Sequence, residues 1–312
     1  MSIPMTAIGI DFGGTSIKSA VVHEGRIIAR GAPIDPQPFT SSDTLIEAIA
    51  GLIAKLQAAH PEIAGVGIGL PGFVDSENGI VHSLTNVAGW HEVPLCQILH
   101  AKTGLVVTIE NDANAMAYGE FKYGAAQGGR HVVCITLGTG VGGALILNHK
   151  LYRGAQLGAG EVGHMSIDLN GRPGPYGNNG GLEEYVGNQQ IAERAVELYR
   201  AAGQVKTIDE CSPQALQQAA LDGDTVATGL WDQLGVELGT ALASVVWLIN
   251  PDTIVIGGGV AQAGDVLFQP MIREIKNRTL ALFHEKLRVI PATLGNDAGI
   301  IGNAALALEA AQ

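Results

Sequence analysis

Positive charge is scarce in this sequence. Lys and Arg together number 18 against 30 Asp and Glu, for a formal net charge of −12. A surface of that sign repels nucleic-acid backbones and anionic lipid, which excludes non-specific binding to either. Nucleotides remain open, because local backbone N–H groups and a metal ion can recognise them. Cysteine is rarer still. Cys96, Cys134 and Cys211 lie far apart and fit no CxxC metal spacing. They read as buried apolar residues of a reducing compartment. No run of about 18 or more apolar residues occurs, so no membrane span is expected. The N-terminus lacks a basic segment followed by an apolar one, so no signal peptide is expected and the cytoplasm is the expected location.

Apolar residues and glycine are what the chain has in quantity. Hydrophobic residues make up 46% of its 312 residues and charged residues 15%, enough for two domains with cores of their own. The chain is organised around residues 7–23. Residues 8–10 read as a buried strand ended by Asp11. Phe12, Gly13, Gly14 and Thr15 make the turn, and residues 17–22 return as a second strand. Two glycines at such a turn let backbone approach a ligand closely and aim several N–H groups at one point, which suits a phosphate. An acid at the strand end can hold Mg²⁺ through water. The plain alternative is an ordinary hairpin. Asp11-Phe12-Gly13 also spells the DFG triplet of protein kinases, but no HRD-type catalytic loop or Gly-rich loop precedes it.

Residues 26–30 form a third strand, and residues 31–42 read as a Pro-, Ser- and Thr-rich loop. Asp43 is expected to cap a helix reaching about His60, with Leu45, Ile49, Leu52, Ile53 and Leu56 on one face. Residues 66–70 and 106–109 are strands, the second ending in Glu110-Asn111-Asp112, and residues 113–121 are helical. That order matches an RNase H-like half. A second hairpin, residues 132–137 and 144–147 around a glycine-rich turn from Gly138 to Gly143, opens a similar half. The weak repeat predicts an α/β protein of two RNase H-like domains with a cleft between them. The boundaries expected are 1–112 plus 298–312 for a small domain and 113–297 for a large one. Gly138-x-Gly140-x-x-Gly143 also fits a dinucleotide fingerprint, but that needs a helix where residues 144–147 read as strand. Residues 154–187 form a long glycine-rich stretch holding Glu161, His164, Glu183 and Glu184. Stretches of this length are functional or disordered. A strand at 253–256 runs into Gly257-Gly258-Gly259, which leaves room for a nucleotide against backbone.

Taken together these pieces resemble the ROK family of sugar kinases and sugar-responsive repressors, in the actin-like ATPase superfamily. The matching residues are Asp11 to Thr15, Leu70-Pro71-Gly72, Glu110-Asn111-Asp112-Ala113-Asn114-Ala115, Leu137 to Gly142, Gly160-Glu161-Val162-Gly163-His164 and Ile256 to Gly259, in family order over nearly the whole chain. The resemblance implies Asp112 as catalytic base, and Asn111, Glu161, His164 and Glu183 on sugar hydroxyls. Gly72 and Asn86 line the same pocket, with Asn86 in a stretch to Trp90 like that of the glucose-kinase variant. Gly13, Gly14, Thr15, Thr139 and Gly140 fall on the phosphates, as do the neighbouring Lys18 and Gly138. Gly258 and Gly259 fall on the adenosine side, and Asp11 on Mg²⁺.

The implied reaction moves the γ-phosphoryl group of ATP to the 6-hydroxyl of a hexose, glucose first. The implied assembly is a homodimer. Alternatives are a kinase for N-acetylmannosamine or fructose, a polyphosphate-dependent glucokinase, and a non-catalytic sugar-responsive regulator. Only six residues precede Ala7, too few for a helix-turn-helix, which disfavours a repressor. Asp112, directly before a helix, also reads as a helix cap. One departure stands out. The family's zinc-binding cysteines after the histidine are replaced by Gly174, Tyr176 and Gly181, so no structural zinc is expected. The loop is then expected to be held by turns, by packing of Pro173, Pro175 and Tyr176, or by amide contacts from Asn178 and Asn179.

Overall fold

The computed structural model describes residues 5–84 and 89–312. In chain order the strands are β1 (Thr6–Phe12), β2 (Ile17–His23), β3 (Arg26–Arg30), β4 (Gly65–Leu70), β5 (Gly72–Asp75), β6 (Ile80–Leu84), β7 (His91–Val93), β8 (Val106–Asn111), β9 (His131–Leu137), β10 (Val141–Leu147), β11 (Lys150–Tyr152), β12 (Thr253–Gly257) and β13 (Arg288–Pro291). The α-helices are α1 (Ser42–Ala59), α2 (Leu95–Thr103), α3 (Asp112–Tyr123), α4 (Glu183–Val186), α5 (Asn188–Ala201), α6 (Pro213–Leu221), α7 (Thr225–Ile249), α8 (Asp265–Arg278), α9 (Ala281–His284) and α10 (Ala298–Ala310).

Two five-stranded sheets repeat one plan, in the orders β3-β2-β1-β4-β8 and β11-β10-β9-β12-β13. In each, three antiparallel strands come first, and two more join parallel to the hairpin's leading strand. This is the RNase H-like plan met twice, as the two glycine hairpins predicted. β5, β6 and β7 add a small antiparallel sheet. At four, five and three residues these strands are too short to show a period in sequence.

The chain divides into two compact units. The first comprises Met1–Gly128, Arg153–Leu157 and Thr293–Gln312, and the second Gly129–Tyr152 and Gly158–Ala292. The boundary expected at 112/113 assigned α3 to the second half. It groups with the first because it packs along α10. In the first unit, alternation along β1 sorts residues between two cores. Ile8, Ile10 and Phe12 join Leu45, Ile49 and Ile53 of α1 on one face. Ala7 faces Ile300, Ala304 and Ala307 of α10 on the other. There α10 lies directly on the strands. A Cβ at Gly9 would overlap the Ile300 carbonyl, and one at Gly67 the Asn303 carbonyl. Asn303, itself buried, donates from Nδ2 to the Ile10 carbonyl at 2.9 Å.

α1 begins one residue before the expected Asp43. Its cap is Ser41, whose Oγ accepts from the Thr44 N–H, and Asp43 sits in the first turn, where the helix dipole favours an anion. β1 continues through Asp11 to Phe12 rather than ending at the acid.

The second unit has a single core. By length and composition α7 would span a membrane, yet Leu230, Trp231, Leu234, Leu238 and Leu242 are buried, and the helix packs against α8. Cys134 and Cys211 are buried and in no disulfide, and Cys96, in the first unit, is half-buried; burial pushes the Cys96 thiol up to about 11.

Gly67→Ala should force α10 off the sheet. Overpacking of this kind typically costs about 1–3 kcal/mol. Calorimetry should show a lower thermal midpoint than the wild type, and an unchanged midpoint would contradict this packing.

Candidate active site

Three parallel strands of the first unit bring its acidic residues to one edge. Asp11 of β1 is in register with Gly69 of β4, which is in register with Glu110 of β8. Asp11 and Asp112 therefore both stand at the C-terminal ends of strands, where open α/β sheets bind ligands. A Cβ at Gly299 would lie 3.7 Å from the Asp11 Cγ, which places that carboxyl beside the first turn of α10. Burial raises the Asp11 pKa, the Asp112 charge raises it further, and Lys18, paired with Asp11 across the β1–β2 hairpin, opposes the rise. Burial also raises the Asp112 pKa, against the N–H groups of Ala113 and its own backbone. Asp112 keeps a solvent-accessible face. Its rise therefore reflects the protein crowded around it rather than enclosure.

The helix cap expected at Asp112 belongs to Asn111. Its Oδ1 accepts from the N–H groups of Ala113 and Asn114 at 2.9 and 3.2 Å. Asp112 becomes the first helical residue, and its carboxylate receives the adjacent Ala113 N–H at 2.8 Å. Beneath them sits a residue that sequence reasoning passed over. Glu110 is 3% exposed and accepts from Asn114 Nδ2, from the Asn111 N–H and from Arg153 Nε. A glutamate closing an apolar strand was the available signal, but its cationic partner lies 43 residues away.

The first glycine turn, residues 13–16, is closed by the Gly13 N–H donating to the Ser16 carbonyl at 3.1 Å. Thr15 and Lys18 are exposed beside it. Gly72 opens β5 with a φ of 105° and follows the strand end at Leu70, which pairs with Asn111. Asn86 lies outside the described residues.

The second unit gathers the remaining candidates. Its hairpin turn, residues 138–140, is closed by the Gly138 N–H donating to Gly140. β10 follows at once, so the dinucleotide alternative lacks its helix. Gly258, with a φ of 87°, lies against the Leu137 backbone, which brings the 257–259 turn to the foot of that hairpin. Glu161 precedes a 3₁₀ turn over Val162–His164 that packs on β10. Glu183 starts α4, and its Oε2 accepts from the Val141 N–H at 2.8 Å.

The loop that lacks cysteines is organised around Asn178. Its Nδ2 donates to the His164 carbonyl at 2.9 Å, and its own carbonyl accepts from the Gly174 N–H at 2.7 Å. A Cβ at Gly174 would stand 2.8 Å from its Oδ1, and one at Gly181 3.6 Å from its Nδ2. The amide thus lies among the positions that carry zinc ligands elsewhere in the family. Reversing it would set oxygen against the His164 carbonyl, so its orientation is fixed. Tyr176 packs edge-on against the His164 ring, centroids 4.9 Å apart. Glycine at 174 and 181 offers no donor, and a phenol is a poor one near neutral pH. These residues do not fit zinc, and among the described residues no three His, Cys, Asp or Glu cluster to hold a metal. The Asp11 edge differs. The Asp11 carboxylate, a hard oxygen donor at the strand edge, fits a Mg²⁺ that keeps most of its water.

Two RNase H-like units, each with a glycine hairpin at its leading strands, define the actin-like ATPase fold. The ROK family model matches residues 7–310, and the chain belongs to that family. It is 35% identical over 314 residues to a glucokinase of Streptomyces coelicolor, covering 97% of each chain. It is 34% identical over 311 residues to a glucokinase of Thermotoga maritima, again covering 97% of each. Among solved structures, a ROK glucokinase of Streptomyces griseus in complex with glucose and AMPPNP superposes with a TM-score of 0.78 at 32% identity, covering 97% of this chain and 99% of that one.

Two outcomes follow from this geometry. Asn178→Ala should unfasten the loop and speed proteolytic cleavage within residues 170–181, at a cost of roughly 1–3 kcal/mol for the carbonyl left unpaired. Chelator should leave the wild-type midpoint unchanged; near-stoichiometric zinc, with stability lost on stripping it, would show a metal-held loop. Asp11 holds its proton more tightly folded than unfolded. Its contribution to stability is therefore present below the ordinary value of 3.8 and is lost as pH rises through the folded value. Asp11→Asn should accordingly match or exceed the wild-type midpoint at pH 7, with any gain vanishing below about pH 4. A variant less stable at neutral pH would contradict this.

Proposed function

We propose that this chain is an ATP-dependent sugar kinase that phosphorylates the 6-hydroxyl of a hexose, with glucose as the preferred acceptor. The observation that carries the reading is the division of labour at the end of β8: Asn111 takes the helix cap and leaves the Asp112 carboxylate accessible with a raised pKa. A carboxyl raised towards the working pH is a better general base than an ordinary one. The glucokinase relatives support glucose as acceptor and ATP as donor.

In this mechanism the sugar hydroxyl gives its proton to Asp112 as the oxygen bonds to the γ-phosphorus. The bond from that phosphorus to the β,γ-bridging oxygen breaks, and ADP leaves with the electron pair. Asn111 spends its carboxamide oxygen on the cap, so its Nδ2 is the group that donates to a sugar oxygen. Glu161, His164 and Glu183 hold the other hydroxyls, and Gly72 and Asn86 line the pocket. Gly14, Thr15, Thr139 and Gly140 present backbone N–H groups to the phosphates, Gly13 and Gly138 close the two turns that aim them, and Lys18 lies beside the first turn. Such pre-aimed donors stabilise transferring phosphoryl without reorganising. Gly258 and Gly259 leave room for the adenosine. Asp11 would hold a Mg²⁺ through water, and the ion would supply positive charge to the phosphates.

Asp112→Ala should lower kcat by roughly two to four orders of magnitude, the usual span for a general base, and leave hexose binding largely intact. Near-normal turnover would overturn the assignment. A coupled assay across hexoses and donors should give the highest kcat/KM for glucose with ATP. A preference for N-acetylmannosamine, or polyphosphate matching ATP, would reassign acceptor or donor. Hexose binding without turnover would make the chain a sensor.

A further inference from the structure

The second unit places Glu183 in contact with the hairpin assigned above to phosphate. Its Oε2 accepts from the N–H of Val141, the residue directly after the turn. A Cβ at Gly140 would overlap that oxygen and stand 3.0 Å from the carboxyl carbon. The contact continues along the chain. The Asn188 N–H donates to the Gly138 carbonyl at 2.9 Å, and a Cβ at Gly187 would stand 2.9 Å from the Thr139 carbonyl. Each of the three turn residues is thus met by the segment from 183 to 188. Among the described residues, Glu183 Oε1 has no hydrogen-bond partner. A carboxylate has lone pairs enough for both duties.

We propose that Glu183 is a positioning residue shared by two subsites, one oxygen fixing the donor hairpin and the other taking a sugar hydroxyl. The proposal rests on the reading of Glu183 as a sugar ligand. Gly140 is then glycine for the sake of Glu183 as well as of the phosphate, because any side chain there displaces the carboxylate. A shared residue also makes the two ligands thermodynamically linked. Sugar that settles Glu183 settles the hairpin, and nucleotide that settles the hairpin settles Glu183. The factor by which each raises the other's affinity must be the same.

The test crosses each change with the ligand it does not touch directly, using calorimetric titration of one ligand at a time. Gly140→Ala, titrated with glucose and no nucleotide, should bind at least about tenfold more weakly than the wild type, the loss expected for a displaced charged hydrogen bond. Glu183→Ala, titrated with AMPPNP and Mg²⁺ and no sugar, should bind about fivefold or more weakly. Glu183→Gln keeps an oxygen for the Val141 N–H and should retain most of the AMPPNP affinity. A merely structural role would not separate these two substitutions. Wild-type glucose affinity in a folded Gly140→Ala overturns the proposal, and so does wild-type AMPPNP affinity in Glu183→Ala. If Gly140→Ala fails to fold, the two Glu183 variants decide. Absence of glucose binding in the wild type itself instead overturns the sugar reading, and the AMPPNP arm still decides the contact with the hairpin.

Discussion

The bare backbone of β1 and β4 governs how the first unit is built. With no side chain at Gly9 or Gly67, α10 lies against the strands themselves, closer than any larger residue allows. The contact is sealed by one buried amide, Asn303, on the Ile10 carbonyl. Because α10 sits so low, Asp11 on the same face of β1 meets its first turn, and α3 packs along its flank with Asp112 at its head. The two acids of the candidate site thus owe their places to one helix that carries neither.

Buried glutamates then tie the first unit's scattered pieces together. The chain re-enters this unit at Arg153 and again at Thr293. Glu110 receives Arg153 at the first return, and Glu120 accepts from the Thr293 and Leu294 N–H groups at the second. Neither carboxylate is left short of donors, which is the condition for burying a charge without large loss. The same economy recurs in the second unit, where Arg194 is held by both oxygens of Glu237 and by the Tyr185 carbonyl.

Much of this was legible in the residues. The leading strands showed as apolar runs broken by paired glycines, and the strand after Gly143 separated a phosphate hairpin from a dinucleotide turn. The limits were those of locality. Asn111 and Asp112 are both good caps, and only the backbone at 111, extended before the helix, assigns the cap to the asparagine. Ser41 displaced Asp43 for the same reason. Asn178 drew notice as an amide in a loop without cysteines. Its central place depends on folding Gly174, Gly181 and His164 around it, which no spacing encodes. The contact between Glu183 and Val141 spans 42 residues and runs to a backbone N–H, a partner with no letter of its own in the sequence.

The late position of α10 in the chain bears on biosynthesis. Ribosomes release the polypeptide from its beginning, so β1, β2 and β4 emerge and pair long before the helix that covers them. Until the whole second unit has been translated, one face of the leading sheet, with Ala7, Ala20 and Val22, stands open to solvent and to neighbouring nascent chains. A half-finished sheet of this kind is the species on which holdase chaperones act, and it aggregates when they are short. The glycines that admit α10 also soften this hazard, since they leave that face with little apolar surface to offer a wrong partner while it waits.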